Sequence, residues 1–271
     1  MRAVTSDLWY TILYLRPHDQ AVEERRRRGI WMRPLLRAGV PKPRAQRLVL
    51  RLEARCHGLE TRGVSFPVPQ QAEWLASVGR VPIPVDDVIE QLDDLLTRTP
   101  VRFARGAVDV LERWRGEGLR LGLVSNVIFE TPTATRRLLD REGLIGRFDA
   151  IYLSAEHPWG KPDPHAFLTC LHELGVPPSR SVHVGDRPWD VRGALRAGMQ
   201  ALRFREYRLR SDPTDYNGRS DGRPGVHDVR GWAEVAQAVE RMRSPSGAVG
   251  RGRTRFERAE AASPDTFHGS S

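Results

Sequence analysis
From about residue 118 to residue 204, apolar runs of strand length alternate with segments of helical periodicity, and this alternation leaves few folds open. Leu119–Ser125, Phe148–Ser154, Ser181–Gly185 and Met199–Phe204 read as buried strands. Thr133–Glu142, Pro164–Leu174 and Asp190–Ala197 read as the helices between them. The first turns Leu138 and Leu139 inward, the second carries Ala166, Phe167, Cys170, Leu171 and Leu174 at helical spacing, and the third stops at Gly198. Repeats of strand, helix and strand close through right-handed crossovers, which set the strands parallel with helices on both faces. The expected class is α/β, a doubly wound parallel-sheet, Rossmann-like core. Ala3–Asp7 is expected to add a strand, and Phe103–Gly118 to be the helix that leads back into the sheet.

Between residues 16 and 100 the texture changes. Val22–Ala38, Arg44–Leu59, Gln71–Val78 and Val85–Thr97 read as amphipathic helices separated by proline-rich breaks at 41–43, 67–69 and 82–84. An all-helical insertion over 16–100 therefore interrupts a core made of 1–15 and 101–242. Residues 243–271 are rich in Arg, Gly, Ser and Pro, have little to bury, and are expected to be disordered.

Composition narrows the setting. An apolar run of the roughly 18 residues that a membrane span needs does not occur. The N-terminus enters a strand without a basic-then-apolar leader, and the two cysteines, Cys56 and Cys170, lie far apart, so a reducing cytoplasm is the expectation. The net charge of +9 raises the question of nucleic acid. Its arginines are spread along the chain, with local excess at Arg25–Arg28, at Arg203–Arg210 and in the tail, and no basic stripe is interleaved with aromatics. A solvated arginine surface is expected, with no nucleic-acid or membrane partner. Of 43 basic residues only Lys42 and Lys161 are lysines. A compact ammonium on a flexible stem does a different job from a planar guanidinium, so position 161 needs its own explanation.

In open α/β sheets, ligands bind at the carboxyl ends of the strands. Asp7 ends the first strand, within Asp7-Leu8-Trp9-Tyr10-Thr11, and Ser125-Asn126 ends the next. Lys161 follows another within Gly160-Lys161-Pro162-Asp163-Pro164, and Gly185-Asp186 closes a fourth, with Asp190 four residues on. Each signal is weak alone, since strand-end Asp and Ser residues commonly cap turns and helices. Together their order and placement form one rim of carboxylates, a hydroxyl and an ammonium.

These four motifs, in this order over about residues 1–205, resemble those of the haloacid dehalogenase superfamily, in its branch with a helical cap inserted after the first motif. Asp7 to Thr11 match Asp-x-Asp-x-Thr except at the second Asp, Ser125 matches the second motif, Lys161 the third, and Gly185, Asp186 and Asp190 the fourth. The resemblance implies a hydrolase, with a small phosphorylated molecule as substrate. Asp7 would be the nucleophile, Ser125 and Lys161 its catalytic partners, and Leu8, Thr11 and Asn126 would contact substrate. Mg²⁺ would be held by Asp7, Asp186 and the backbone carbonyl of Trp9, with Asp190 in support. An anionic nucleophile meeting a phosphate dianion at about 3 Å faces on the order of 10 kcal/mol of repulsion at an effective dielectric near 20, which explains why the motifs gather cations.

The departure is Trp9, where the family's phosphatases carry the acid–base Asp; Tyr10 likewise stands where a glycine is usual. Glu130, Glu156 and His157 lie in loops that could supply a proton, although such loop residues read first as solvated. Three readings stay open: a phosphatase with another proton source, a dehalogenase, whose halide leaves without a proton, and a weakly catalytic phospholigand-binding protein. Dehalogenases of this kind generally lack the metal-binding Asp of the fourth motif, which is present here as Asp186.

Overall fold
The computed structural model describes residues 1–207 and 226–244. Of the tail expected to be disordered over 243–271, Arg243 instead ends a helix and Ser244 follows it, while residues from 245 on and the end of the arginine-rich Arg203–Arg210 stretch lie outside the described residues. The core strands are β1 (Ala3–Ser6), β4 (Arg120–Ser125), β5 (Ala150–Leu153), β6 (Ser181–Gly185), β7 (Gln200–Phe204) and β8 (Val226–Val229). They form one sheet in the order β5-β4-β1-β6-β7-β8, and every neighbouring pair is parallel. The helices are α1 (Pro17–Arg37), α2 (Lys42–Glu60), α3 (Val68–Gly79), α4 (Val85–Arg98), α5 (Ala107–Gly116), α6 (Pro132–Arg141), α7 (Pro164–Leu174), α8 (Pro188–Arg196) and α9 (Trp232–Arg243).

Strand alternation splits the core into two apolar layers. Val4, Leu121, Leu123, Val182, Val184, Leu202 and Phe204 pack with Trp114 of α5, Leu138 and Leu139 of α6 and Trp232 of α9. Ala3, Val124 and Ala201 face the other way, onto Phe167, Cys170 and Leu171 of α7 and Ala194 of α8. Thr5 of β1 and His183 of β6 are register partners on that second face, a placement that matters below.

The chain leaves the core after β2 (Leu13–Tyr14) and returns through β3 (Arg102–Phe103), and these two short strands pair antiparallel. Between them α1–α4 build a separate apolar cluster around Trp31, Leu35, Leu48, Leu52 and Leu92, against which Ile128 and Phe129 of the core pack. The expected helix over 103–118 is therefore a strand followed by a helix that begins only at Ala107.

Prolines explain the other displaced boundaries. Helices α1, α2, α3, α6, α7 and α8 each carry Pro in their first turn, where the missing N–H is not needed and the fixed φ suits a helix start. The breaks at 41–43 and 67–69 thus open helices, and α3 begins at Val68 rather than Gln71.

Candidate active site
The carboxyl ends of β1, β4 and β6 and the loop after β5 meet on one rim. Asp7 follows β1, its backbone N–H donating to Val184 O at 2.8 Å across the sheet. Lys161 reaches in from the loop after β5, and its Nζ donates to Asp7 Oδ1 at 2.5 Å and lies 2.6 Å from Asp190 Oδ1. This ammonium is buried to 1% exposure. Burial alone would depress it, but Asp190 and Asp7 outweigh that and hold it well above the ordinary lysine range. Burial raises Asp7 to about 6 against the pull of Lys161, with Asp190 adding to the rise.

Asp190 sits in the first turn of α8, where its Oδ2 accepts the Arg187 backbone N–H at 2.8 Å. Its Oδ1 also lies 3.3 Å from His183 Nε2. Burial works to raise this carboxyl, yet Lys161 and His183 hold it down at about 2. Gly185 makes the packing possible, since a Cβ there would overlap the Asp190 carboxyl.

Asp186 completes the trio. Oxygens of Asp7, Asp186 and Asp190 all lie within 4.8 Å of one another, and burial pushes the Asp186 carboxyl well above the usual carboxylate range. Arg187 Nε is 3.4 Å from it. Three crowded, buried carboxylates are costly without further positive charge. Their all-oxygen donor set suits a small hard cation such as Mg²⁺, so the residues fit the ion that the motifs imply.

The other expected site residues are placed unevenly. Ser125 is buried, and its Oγ has no hydrogen-bond partner among the described residues. Asn126 grips the Lys161 backbone twice, Oδ1 accepting from Lys161 N at 2.8 Å and Nδ2 donating to Lys161 O at 3.0 Å. Leu8 packs in the core while its backbone N–H bonds the Asp7 carboxylate. Thr11 is fully buried, its carbonyl accepting from Trp232 Nε1 at 2.8 Å.

Asp7 and Lys161 open into a cavity of about 500 Å³ between the rim and α1, α2 and α4, lined also by Trp9, Tyr10, Asn126, Asp186 and Arg187. Sequence reasoning missed two features of its walls. Glu130 is only partly exposed: it lines the cavity, accepts Trp9 Nε1–H at 3.2 Å and the Phe129 N–H at 3.1 Å, and is pushed by burial up to about 7. Arg27 leaves the solvated face expected for Arg25–Arg28: it is buried, pairs with Glu23 and Glu53, and stacks 3.8 Å above the Phe129 ring. No signal short of the tertiary fold brings residues 9 and 130 together. Glu156 pairs with Arg136 at 2.9 Å and His157 stacks on Tyr152 at 4.2 Å, and neither lines this cavity.

A family model described as haloacid dehalogenase-like hydrolase matches residues 2–198. A phosphoserine phosphatase of Thermus thermophilus is 40% identical over 89 residues, covering 32% of this chain and 34% of that protein. Two further curated relatives are matched over 41% and 57% of their length, so the likeness spans about a third to just over half of these proteins. Among solved structures, a HAD phosphatase from Thermococcus onnurineus superposes with a TM-score of 0.61 at 21% identity, over 88% of this chain and 98% of that one. A 2-haloacid dehalogenase from Pseudomonas syringae gives the same TM-score and identity over 89% and 99%. The fold is thus common to both chemistries.

Proposed function
The chain belongs to the haloacid dehalogenase-like hydrolase family, and from that premise we propose that it is a Mg²⁺-dependent phosphatase acting through an aspartyl-phosphate on a small phosphorylated metabolite. One observation carries this reading. Asp7 faces the Lys161 ammonium at 2.5 Å while Asp186 and Asp190 crowd the same point, an arrangement suited to a doubly charged phosphoryl group and a cation. Halide displacement from a monoanionic acid has no use for the Asp186 carboxylate.

In this reading an Asp7 carboxylate oxygen bonds phosphorus and the bond from phosphorus to the leaving oxygen breaks. Lys161, already between Asp7 and Asp190, places its ammonium on the phosphoryl oxygens and offsets their charge as the group transfers. The unpartnered Ser125 hydroxyl donates to a phosphoryl oxygen. Water then attacks the phosphorus of the aspartyl-phosphate as the bond from phosphorus to the Asp7 oxygen breaks. The proton it loses balances the one taken up by the departed oxygen, so phosphate and the alcohol leave and Asp7 is restored. Mg²⁺, held by Asp7, Asp186 and the Trp9 backbone carbonyl, would supply the remaining positive charge. Helices α1–α4 act as a cap that closes the cavity around the part of the substrate that does not react.

The test is phosphate release from an aryl phosphate, measured beside halide release from a 2-haloacid. Asp7→Asn is expected to abolish phosphate release with the fold intact. EDTA is expected to do the same to the wild type, and Mg²⁺ to restore it. Halide release that persists in EDTA, without phosphate release, would turn the assignment to dehalogenation.

A further inference from the structure
Behind the reacting pair lies a buried histidine that the mechanism above does not use. His183 stands in the middle of β6, on the face where Ala201 of β7 is its register partner and Phe167 packs, with 1% of its surface exposed. Its Nδ1 is 2.9 Å from Thr5 Oγ1, the register partner on β1, and its Nε2 is 3.3 Å from Asp190 Oδ1. The Phe167 and His183 rings pack edge to face, with centroids 4.9 Å apart and planes at 88°. An apolar side chain here would bury at no polar cost, whereas an imidazole must find partners to offset its desolvation. Both partners are present, and one of them holds the lysine.

We propose that His183 is a positioning residue: its Nε2–H fixes the Asp190 carboxylate, and through Asp190 it sets the Lys161 ammonium against Asp7. The inference rests on the reading of Asp7 and Lys161 as the reacting pair. A carboxylate oxygen can only accept, so the hydrogen between His183 and Asp190 belongs to Nε2. The Thr5 hydroxyl can accept or donate, and therefore satisfies Nδ1 and holds the ring plane whichever way it turns. Asp190 is then tied on both oxygens. Oδ2 takes the Arg187 N–H at the start of α8, and Oδ1 takes His183 from the sheet and Lys161 from the site. Without His183, Oδ1 keeps only the lysine, and the carboxylate can swing about its helix bond and carry the ammonium off line. Ligand-orienting groups of this kind are typically worth about 10–100-fold in activity.

The chain's scarcity of lysine supplies a direct readout. Protein labelled with ¹³C and ¹⁵N in its lysine side chains contains two such groups, buried Lys161 and exposed Lys42, and Lys42 serves as an internal reference. His183→Gln places an amide near the Nε2 position, while His183→Asn reproduces only the Nδ1 side. The glutamine variant is expected to keep the Lys161 resonance and a kcat within a few-fold of wild type. The asparagine variant should shift or broaden Lys161 but not Lys42, and lower kcat by about 10–100-fold with KM little changed. If the two variants give the same Lys161 signal and the same kcat, His183 is a packing residue and the proposal fails. The resonance decides the question even if no phosphate ester is hydrolysed, so the phosphatase reading and this one fail separately.

Discussion

At the scale of single residues, the missing acid is the sharpest question. Trp9 can neither protonate a leaving group nor activate water, yet its indole N–H is spent on Glu130, the carboxyl that burial raises to about 7. A carboxyl so raised is protonated below that pH and loses its proton as pH rises through it. If Glu130 delivers the proton, hydrolysis of alkyl phosphates should fall as pH rises above about 7, and fall again below about 6, where the Asp7 carboxylate takes up a proton. Aryl phosphates, whose leaving groups need little help, should show only the lower fall. Glu130→Gln should then cost about 10²–10⁴-fold on alkyl esters, remove the upper limb of the pH profile, and spare aryl esters. An unchanged alkyl rate in that variant would reduce Glu130 to a wall of the cavity, and Trp9→Asp, which restores an acid at the family's position, would become the informative substitution. Asp7, Ser125, Lys161 and Asp186 were legible in the sequence because strand ends converge in any doubly wound sheet. Glu130 was not, because its contact with Trp9 depends on how one loop folds over another. Tyr10 is the opposite case: its φ of 57° is a left-handed conformation that favours glycine, and glycine is the residue that the family resemblance makes usual there. Its hydroxyl donates to Gln20 Oε1 at 2.9 Å, which ties the strained turn to α1.

At the scale of elements, periodicity located the parallel strands and the helices between them to within a few residues, because buried apolar runs admit little else. It failed where order comes from pairing. The two-residue strands β2 and β3 carry no pattern of their own and exist because they bond each other. The edge strand β8 has its middle residues exposed, so the alternation that marks a strand is absent. The elements that build the site are joined at one turn between α2 and α3. Gly160 N donates to Gly63 O at 2.9 Å, Ser65 N to Pro158 O at 3.1 Å, and Ser65 Oγ to Ser154 O at 2.8 Å. These bonds fasten the helical insertion to the loop that carries Lys161. Gly63 has φ 76°, and a Cβ there would stand 2.8 Å from both Asp163 N and Gly160 O. Gly63→Ala should therefore cost more than about 1 kcal/mol, lowering Tm by at least about 2–4 °C. The damage should also reach the chemistry, because the clash falls on the lysine loop, and kcat should drop with Tm. A variant that melts lower while turning over normally would show that the fastening serves stability alone.

At the scale of the whole molecule, charge is distributed against its own average. The chain carries +9, written almost wholly in arginine, and many of those arginines pair on the surface, as Arg120 does with Asp149 and Arg136 with Glu156. The cavity is the reverse. Asp7, Asp186, Glu23, Glu24, Glu60 and Glu130 line it, against Lys161, Arg27 and Arg187. Arg27 is committed to Glu23 and Glu53, and Arg187 lies beside Asp186. Away from Asp7, Glu24 accepts from the Gln20 amide, a neutral donor, and Glu60 accepts from the Asn126 amide and lies 3.6 Å from His57 Nδ1. A phosphate ester with a second carboxylate or phosphate would bring like charge toward these groups, and one with an amine would bring the opposite charge. At an effective dielectric near 20 a unit pair at 4 Å interacts by about 4 kcal/mol. Even a third of that is worth about tenfold in affinity. We therefore expect 2-aminoethyl phosphate to exceed carboxymethyl phosphate in kcat/KM by at least about tenfold. The difference should lie mainly in KM, since the contact is remote from the reacting phosphorus. Glu24→Gln combined with Glu60→Gln should narrow the ratio by raising the carboxylate ester and lowering the amine. Carboxymethyl phosphate cleaved as well as the amine, with no response to those substitutions, would mean that the glutamates are screened from the ligand and that the cavity's charge plays no part in selection.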